Sequence, residues 1–316
     1  YRDLLSGRLA YGSRDSVDAK ASMLRKLGAG SLSLSGSYAR GDGFVPIAKG
    51  QRGAVDRPAP YEQAGLALRA VAPISDNIEL QANMRAFTDE RDRGFDFSDS
   101  QNSGVDASLR LVNRAVGGWQ WSALGYVQIR EFANRFGAIG AGRNSVALTL
   151  DQYSVPSTGL GARVEVRPPL GEKAELRLGG DWRRTSGETN ENFFFTGLIP
   201  GRSRRAGGQS DVFGLFAEGS YTPVDNVTLT LGGRADRWKI ANGFRKEVNI
   251  GGSVRSDDVF ADRSGWEGTG RGSVALTLND DVKLRGAAYV GWRLPTLNEL
   301  YRPFRVGADA TAANEL

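Results

Sequence analysis

Residues 78–87 read IELQANMRAF. Ile78, Leu80, Ala82, Met84 and Ala86 alternate with Glu79, Gln81, Asn83 and Arg85. Successive side chains of a strand point to opposite faces, so this segment predicts a strand with one apolar and one polar face. A helix would need apolar spacings of three and four, which the segment lacks. Residues 174–183, AELRLGGDWR, repeat the pattern: Ala174, Leu176, Leu178, Gly180 and Trp182 oppose Glu175, Arg177, Gly179, Asp181 and Arg183. In 282–293, VKLRGAAYVGWR, Val282, Leu284, Ala288, Val290 and Trp292 oppose Lys283, Arg285 and Arg293.

Working outward, the alternation predicts about thirteen strands. They lie near 3–12, 17–27, 31–40, 62–72, 77–87, 104–112 and 119–131, then near 158–167, 174–185, 211–221, 227–238, 268–278 and 282–293. Most reach about 10 residues, where globular strands average about 5–6 and tilted membrane strands need about 9–11. Short connections at 28–30, 73–77, 113–118, 168–173, 222–226 and 279–281 are rich in Gly, Pro, Asn and Asp, the residues that supply turn dihedrals. Apart from the tight connection near 13–16, the others are long, at 41–61, 88–103, 132–157, 186–210 and 239–267. Alternating short and long connections are the mark of an up-and-down transmembrane β-barrel with tight periplasmic turns and extended outer loops. The fold class expected is therefore all-β, an antiparallel up-and-down transmembrane barrel, with 1–316 forming part of one barrel domain.

Composition agrees. The 316 residues are 40% hydrophobic and 24% charged, with 42 Gly, no Cys and no His. The mean hydropathy is −0.37. No stretch reaches the roughly 18 apolar residues of a membrane helix, but barrel strands average to modest hydropathy because lipid-facing and lumen-facing residues alternate. Absence of His removes Ser-His and Cys-His pairs and His-containing zinc sites from the chain. No G-x-S-x-G, P-loop or EF-hand loop is present. No catalytic residue, metal ligand or cofactor is expected, and the scattered arginines of a chain of net charge +5 form no nucleic-acid patch.

The period-2 pattern puts Asp18, Lys20, Glu79, Arg85, Arg110, Arg163, Glu165, Arg177, Arg183, Arg234, Asp236, Arg271, Lys283 and Arg285 on the lumen face. Thr228 and Thr230 join them, whereas Leu229 and Leu231 face lipid. Trp119, Trp121, Trp182, Tyr221, Tyr289 and Trp292 lie near strand ends, where rings favour the membrane–water interface. In 186–210, Phe193, Phe194 and Phe195 precede Arg202, Arg204 and Arg205. Aromatic and cationic side chains together suit an anionic, partly apolar small-molecule ligand; the same arginines also suit anionic lipopolysaccharide.

Residues 291–307, GWRLPTLNELYRPFRVG, resemble a segment of TonB-dependent outer-membrane receptors. There a strand closes with an aromatic, a basic residue and then A/L-P-T/N-L-x-E/Q-L-Y; Arg293, Pro295, Asn298, Glu299 and Tyr301 fall in that motif loop. Gly41-Asp42-Gly43-Phe44 resembles a second pattern of the family, R-x-D-G-[FY]. The resemblance implies a 22-stranded plugged barrel in a Gram-negative outer membrane, surrounded by lipid and lipopolysaccharide. It implies uptake of a scarce ligand such as a ferric siderophore, cobalamin, haem or an oligosaccharide, driven through the TonB complex. In the family a plug and a TonB-contacting segment precede the barrel and the barrel ends in a strand with a terminal aromatic; the expectation is that this sequence holds neither plug nor TonB-contacting segment and that Asn314-Glu315-Leu316 falls in a loop. The expectation is that both ends are truncated and that the piece cannot transport by itself. A passive porin and an outer-membrane enzyme are the alternatives.

Overall fold

Alternation along each segment becomes strand because a pleated backbone can then bury or solvate a whole face at once. The computed structural model describes residues 3–306 and 309–311. The strands are β1 (Leu4–Gly12), β2 (Ser16–Leu27), β3 (Gly30–Gly41), β4 (Tyr61–Pro73) and β5 (Ile78–Arg91). Next come β6 (Ser100–Asn113), β7 (Gln120–Ile139), β8 (Val146–Ser154), β9 (Ser157–Arg167) and β10 (Ala174–Thr196). Then follow β11 (Ile199–Val224), β12 (Val227–Asn249), β13 (Val254–Val259), β14 (Arg263–Thr277), β15 (Lys283–Val290) and a short helix, α1 (Leu297–Tyr301).

These fifteen strands form one sheet in which neighbours in sequence pair antiparallel. Strands β8 and β9 divide one position between β7 and β10, and β13 and β14 divide the position after β12. The sheet therefore has thirteen positions, matching the thirteen segments read from alternation. The connections 28–30, 113–118 and 168–173 turn through Gly28, Gly117 and Gly171 at positive φ, a conformation open to glycine at little cost.

Register keeps the faces continuous. One lateral row runs Trp121–Val166–Leu178–Ala217–Gly233–Gly270–Val290. The next row, one residue away, runs Arg177–Glu218–Gly232–Arg271–Tyr289. Arg177 and Arg271 both pair with Glu218, and Arg271 reaches it across Gly232, which has no side chain to block the path. Every charge assigned to the lumen from sequence falls on this polar face. Leu176, Leu229, Leu231 and Leu284 fall on the apolar one, as the sequence predicts. The core is accordingly thin: an apolar cluster of Ala206, Ile240, Leu300 and Tyr301 on the polar face.

Three expectations need correction. The long connections at 132–157, 186–210 and 239–267 are mostly strand: β10 and β11 stay paired up to a tight turn at Gly197-Leu198. Above the apolar band both faces of a hairpin meet water, so polar residues occupy both and the period-2 signal vanishes while the backbone ladder continues. On the apolar-face side that change begins at Trp182, whose Nε1 donates to Asp211 (3.1 Å), itself bound by Arg184. Second, the last predicted strand ends at Val290, and Trp292 turns to the polar side, where its Nε1 donates to Asp236 (3.0 Å). Third, Tyr289 shares the polar row with Arg271, so neither it nor Trp292 belongs to an aromatic girdle on the apolar face. Gly307 of the family-like stretch and the chain end at 314–316 lie outside the described residues.

Candidate functional site

The family-like segment folds back over the polar face of β10–β12. Thr296 caps α1: its Oγ1 accepts from the Glu299 amide (3.2 Å), and the Glu299 carboxylate accepts from the Thr296 amide (2.7 Å). This reciprocal capping box satisfies two donors that a helix start leaves open. Arg293 clamps the same carboxylate with two hydrogen bonds of 2.7 and 2.8 Å. The Arg293 bonds, followed by the Thr296 amide, hold the Glu299 carboxyl down to about 2 from its ordinary 4.5. A carboxyl held low stabilises the turn while ionised, so its contribution is complete above pH 4.5 and is lost as pH falls towards about 2. Hydrogen exchange at the Thr296 and Glu299 amides should accelerate across that window and not above it. Protection that persists unchanged to pH 2 would contradict the capping role.

Leu300 and Tyr301 are buried against Ala206 and Ile240, and the Tyr301 ring lies 4.9 Å from that of Phe260. Gly243 makes room: a Cβ there would stand 2.4 Å from the Tyr301 ring. Beyond the helix, Arg302 Nε donates to Glu191 Oε2 (2.8 Å), and Arg204 Nη1 donates to Glu191 Oε1 and to the Pro303 carbonyl, both at 2.7 Å. Arg204 Nε also donates to Glu247 (2.7 Å). Glu191 is completely buried. Lower down, Arg234 bridges Asp181 (2.6 and 2.9 Å) and Asp236, the acceptor of the Trp292 indole. A cavity of about 650 Å³ remains between wall and segment, lined by Arg183, Thr189, Ser210, Trp292, Pro295 and Asn298.

The predicted site residues thus separate by role. Arg293, Glu299 and Tyr301 fix the segment, while Pro295 and Asn298 line the cavity under it. Arg202 lies over the Phe194 ring (4.5 Å) and Arg204 over Phe193 (4.6 Å), and the two rings are 5.1 Å apart. Phe195 pairs with Pro200 at the hairpin tip. Arg205 points to the opposite face of the sheet, where Glu188 takes its guanidinium (2.9 and 3.1 Å). Sequence reasoning missed Glu191 altogether, because its partner Arg302 is 111 positions away and the family-like stretch that holds Arg302 says nothing of what it meets on the wall.

The neighbouring connections are also joined. Asp56, in 42–60, is bound by Arg143 at the β7–β8 tip (2.8 and 3.0 Å), which lowers its carboxyl to about 2. The adjacent Arg57 binds Asp92 (2.6 Å) and Asp96 after β5. Three connections therefore meet through two consecutive residues.

A family profile described as TonB dependent receptor-like, beta-barrel, matches residues 31–315. The chain belongs to the TonB-dependent receptor family. Among solved structures, this receptor barrel is similar to the ferric-catecholate import receptor Fiu of E. coli K12 in its open form, with a TM-score of 0.72 at 12% identity. The match covers 91% of this chain and 54% of Fiu. The copper transporter OprC gives 0.70 at 15% identity over 94% of this chain and 46% of OprC. The ferric yersiniabactin uptake receptor FyuA of Yersinia pestis gives 0.67 at 14% identity over 90% of this chain and 46% of FyuA. At such identities the likeness shows the fold, and the chain spans about half the length of these structures. No curated protein matches the sequence.

Proposed function

We propose that this barrel wall serves an outer-membrane receptor of a Gram-negative bacterium that takes up a scarce small ligand, of the ferric-siderophore kind, with energy delivered through the TonB complex. The observation that carries the proposal is the pairing of one continuous apolar face with one continuous charged face, in a chain of this family. The apolar face meets lipid, and the rim above it meets lipopolysaccharide. The polar face lines the route. Fiu and FyuA are named for ferric cargo and OprC for copper, which supports a metal chelate as the ligand class. We assign first contact to the β10–β11 tip, where Phe193, Phe194, Phe195 and Arg202 present rings and a guanidinium together. Arg204 and Arg205 act by holding the hairpin, since carboxylates already take both.

The test is uptake of radiolabelled ferric siderophores by an iron-starved strain carrying the complete gene, against its deletion. Gene-dependent uptake that a protonophore abolishes is the expected result. Gene-dependent flux that survives the protonophore would indicate passive diffusion and overturn the proposal.

A further inference from the structure

Three outer connections close on one another: 42–60 between β3 and β4, 92–99 between β5 and β6, and 140–145 at the β7–β8 tip. The first meets the third at Asp56, whose side chain is only 1% exposed and whose carboxylate takes Arg143. Backbone groups join there too. The Val55 amide donates to the Arg143 carbonyl (3.1 Å), and the Ala54 amide to Asn144 Oδ1 (3.4 Å). A Cβ at Gly53 would stand 2.2 Å from the Arg143 carbonyl oxygen, so this approach requires glycine. The first meets the second through Arg57. Its guanidinium donates to Asp92 (2.6 Å) and to the Phe95 carbonyl (3.2 Å), and its amide to the Gly94 carbonyl (2.8 Å). The Asp92 amide donates in return to the Pro60 carbonyl (3.0 Å). The second meets the end of β7 that carries the tip. Arg93 donates to Asn134 Oδ1 (2.9 Å) and lies over the Phe136 ring (5.2 Å), and Arg135 Nε donates to Asp99 (2.7 Å).

We propose that 42–60, 92–99 and the β7–β8 tip form one rigid body that loosens and moves as a unit, with Asp56 and Arg57 as its joint. In an open row of contacts an end member leaves by breaking one interface. In a closed ring each member must break two, which makes release cooperative. A contact that displaces one connection is thereby carried to the other two. All of these bonds lie within 42–145, and none depends on the uptake proposed above.

The experiment is amide hydrogen exchange on the complete receptor in detergent, comparing wild type with Asp56→Ala and Arg57→Gln. Asp56 bonds the tip and Arg57 bonds 92–99, so the two changes cut different sides of the ring. Asp56→Ala removes charge-assisted bonds from a buried carboxylate and should speed exchange about tenfold, or about 1.4 kcal/mol. Arg57→Gln cuts a more exposed pair and should speed it about threefold. In both variants the same amides should respond: Asp92, Arg93 and Gly94 on one side, Ala54 and Val55 on the other. Leu300 and Arg302, on the segment docked over β10–β12, should keep their protection, and the barrel its heat-modifiable mobility. Acceleration confined to 53–56 and the tip in Asp56→Ala, and to 57–60 and 92–99 in Arg57→Gln, would mean three independent loops and overturn the proposal. So would unchanged exchange in both variants, or a rise that extends to Leu300 and Arg302. Arg57→Gln alone decides the matter if Asp56→Ala does not assemble, since the response of Ala54 and Val55 then separates one body from three loops.

Discussion

Glu191→Ala should free the 291–303 segment from the wall. Glu191 has no exposed surface, and the side chains it joins, Arg204 and Arg302, are only 12% and 13% exposed. Removing one member of a buried pair leaves the other uncompensated and costs about 3–5 kcal/mol. Arg204 keeps Glu247 and both arginines retain an edge in water, which places the expected cost near the low end, about 3 kcal/mol, a hundredfold or more in the docking equilibrium. The effect should concentrate on this segment, because β10–β12 remain held by their ladders. Hydrogen exchange at Leu300 and Arg302, whose amides bond to Thr296 and Asn298, reads it directly. Glu191→Gln, which keeps the shape and part of the bonding, should fall between. If exchange at these amides is the same in wild type and Glu191→Ala, the buried carboxylate is not what holds the segment.

Leu231→Arg should impair assembly, and its neighbour Thr230→Arg should be tolerated. Leu231 is 72% exposed on the apolar face of β12, between Gly219 and Gly272 in its row. An arginine on the lipid side near mid-membrane costs about 2–4 kcal/mol. Thr230 lies on the polar face, where its hydroxyl shares a 3.0 Å hydrogen bond with Ser220. Losing that bond costs about 0.5–1.5 kcal/mol, and the new guanidinium stays in water. The same contrast applies to Leu229 and Thr228. Heat-modifiable mobility in outer membranes and urea midpoints in vesicles measure it; equal loss at both positions of a pair would refute the face assignment.

Those faces were legible in the sequence because a membrane barrel imposes the strictest alternation a strand can carry. Lipid on one side and water on the other leave IELQANMRAF a single register, and a slip of one residue would exchange the faces. The same constraint fixed the number of sheet positions and the short turns. The LPTLNELY stretch pointed to the family by resemblance, and its capping chemistry was written locally, since Thr296 and Glu299 are three residues apart.

Only the tertiary structure decided what happens beyond the apolar band. There both faces are wet, alternation carries no information, and segments read as loops continue as paired strand. Arg204 and Arg205 look equivalent in sequence, yet the pleat sends one to Glu191 and the other to Glu188 on the far side. In β12 the register with β11 shifts between Ala241 and Phe244, where Asn242 adopts positive φ. That one extra residue brings the odd-numbered Glu247 to the face held below by the even-numbered Arg234 and Asp236. Period-2 counting from Thr230 would have put Glu247 on the opposite side, away from Arg204. Bulges and contacts over a hundred residues leave no periodic trace, because their energy comes from partners that only the assembled sheet brings together.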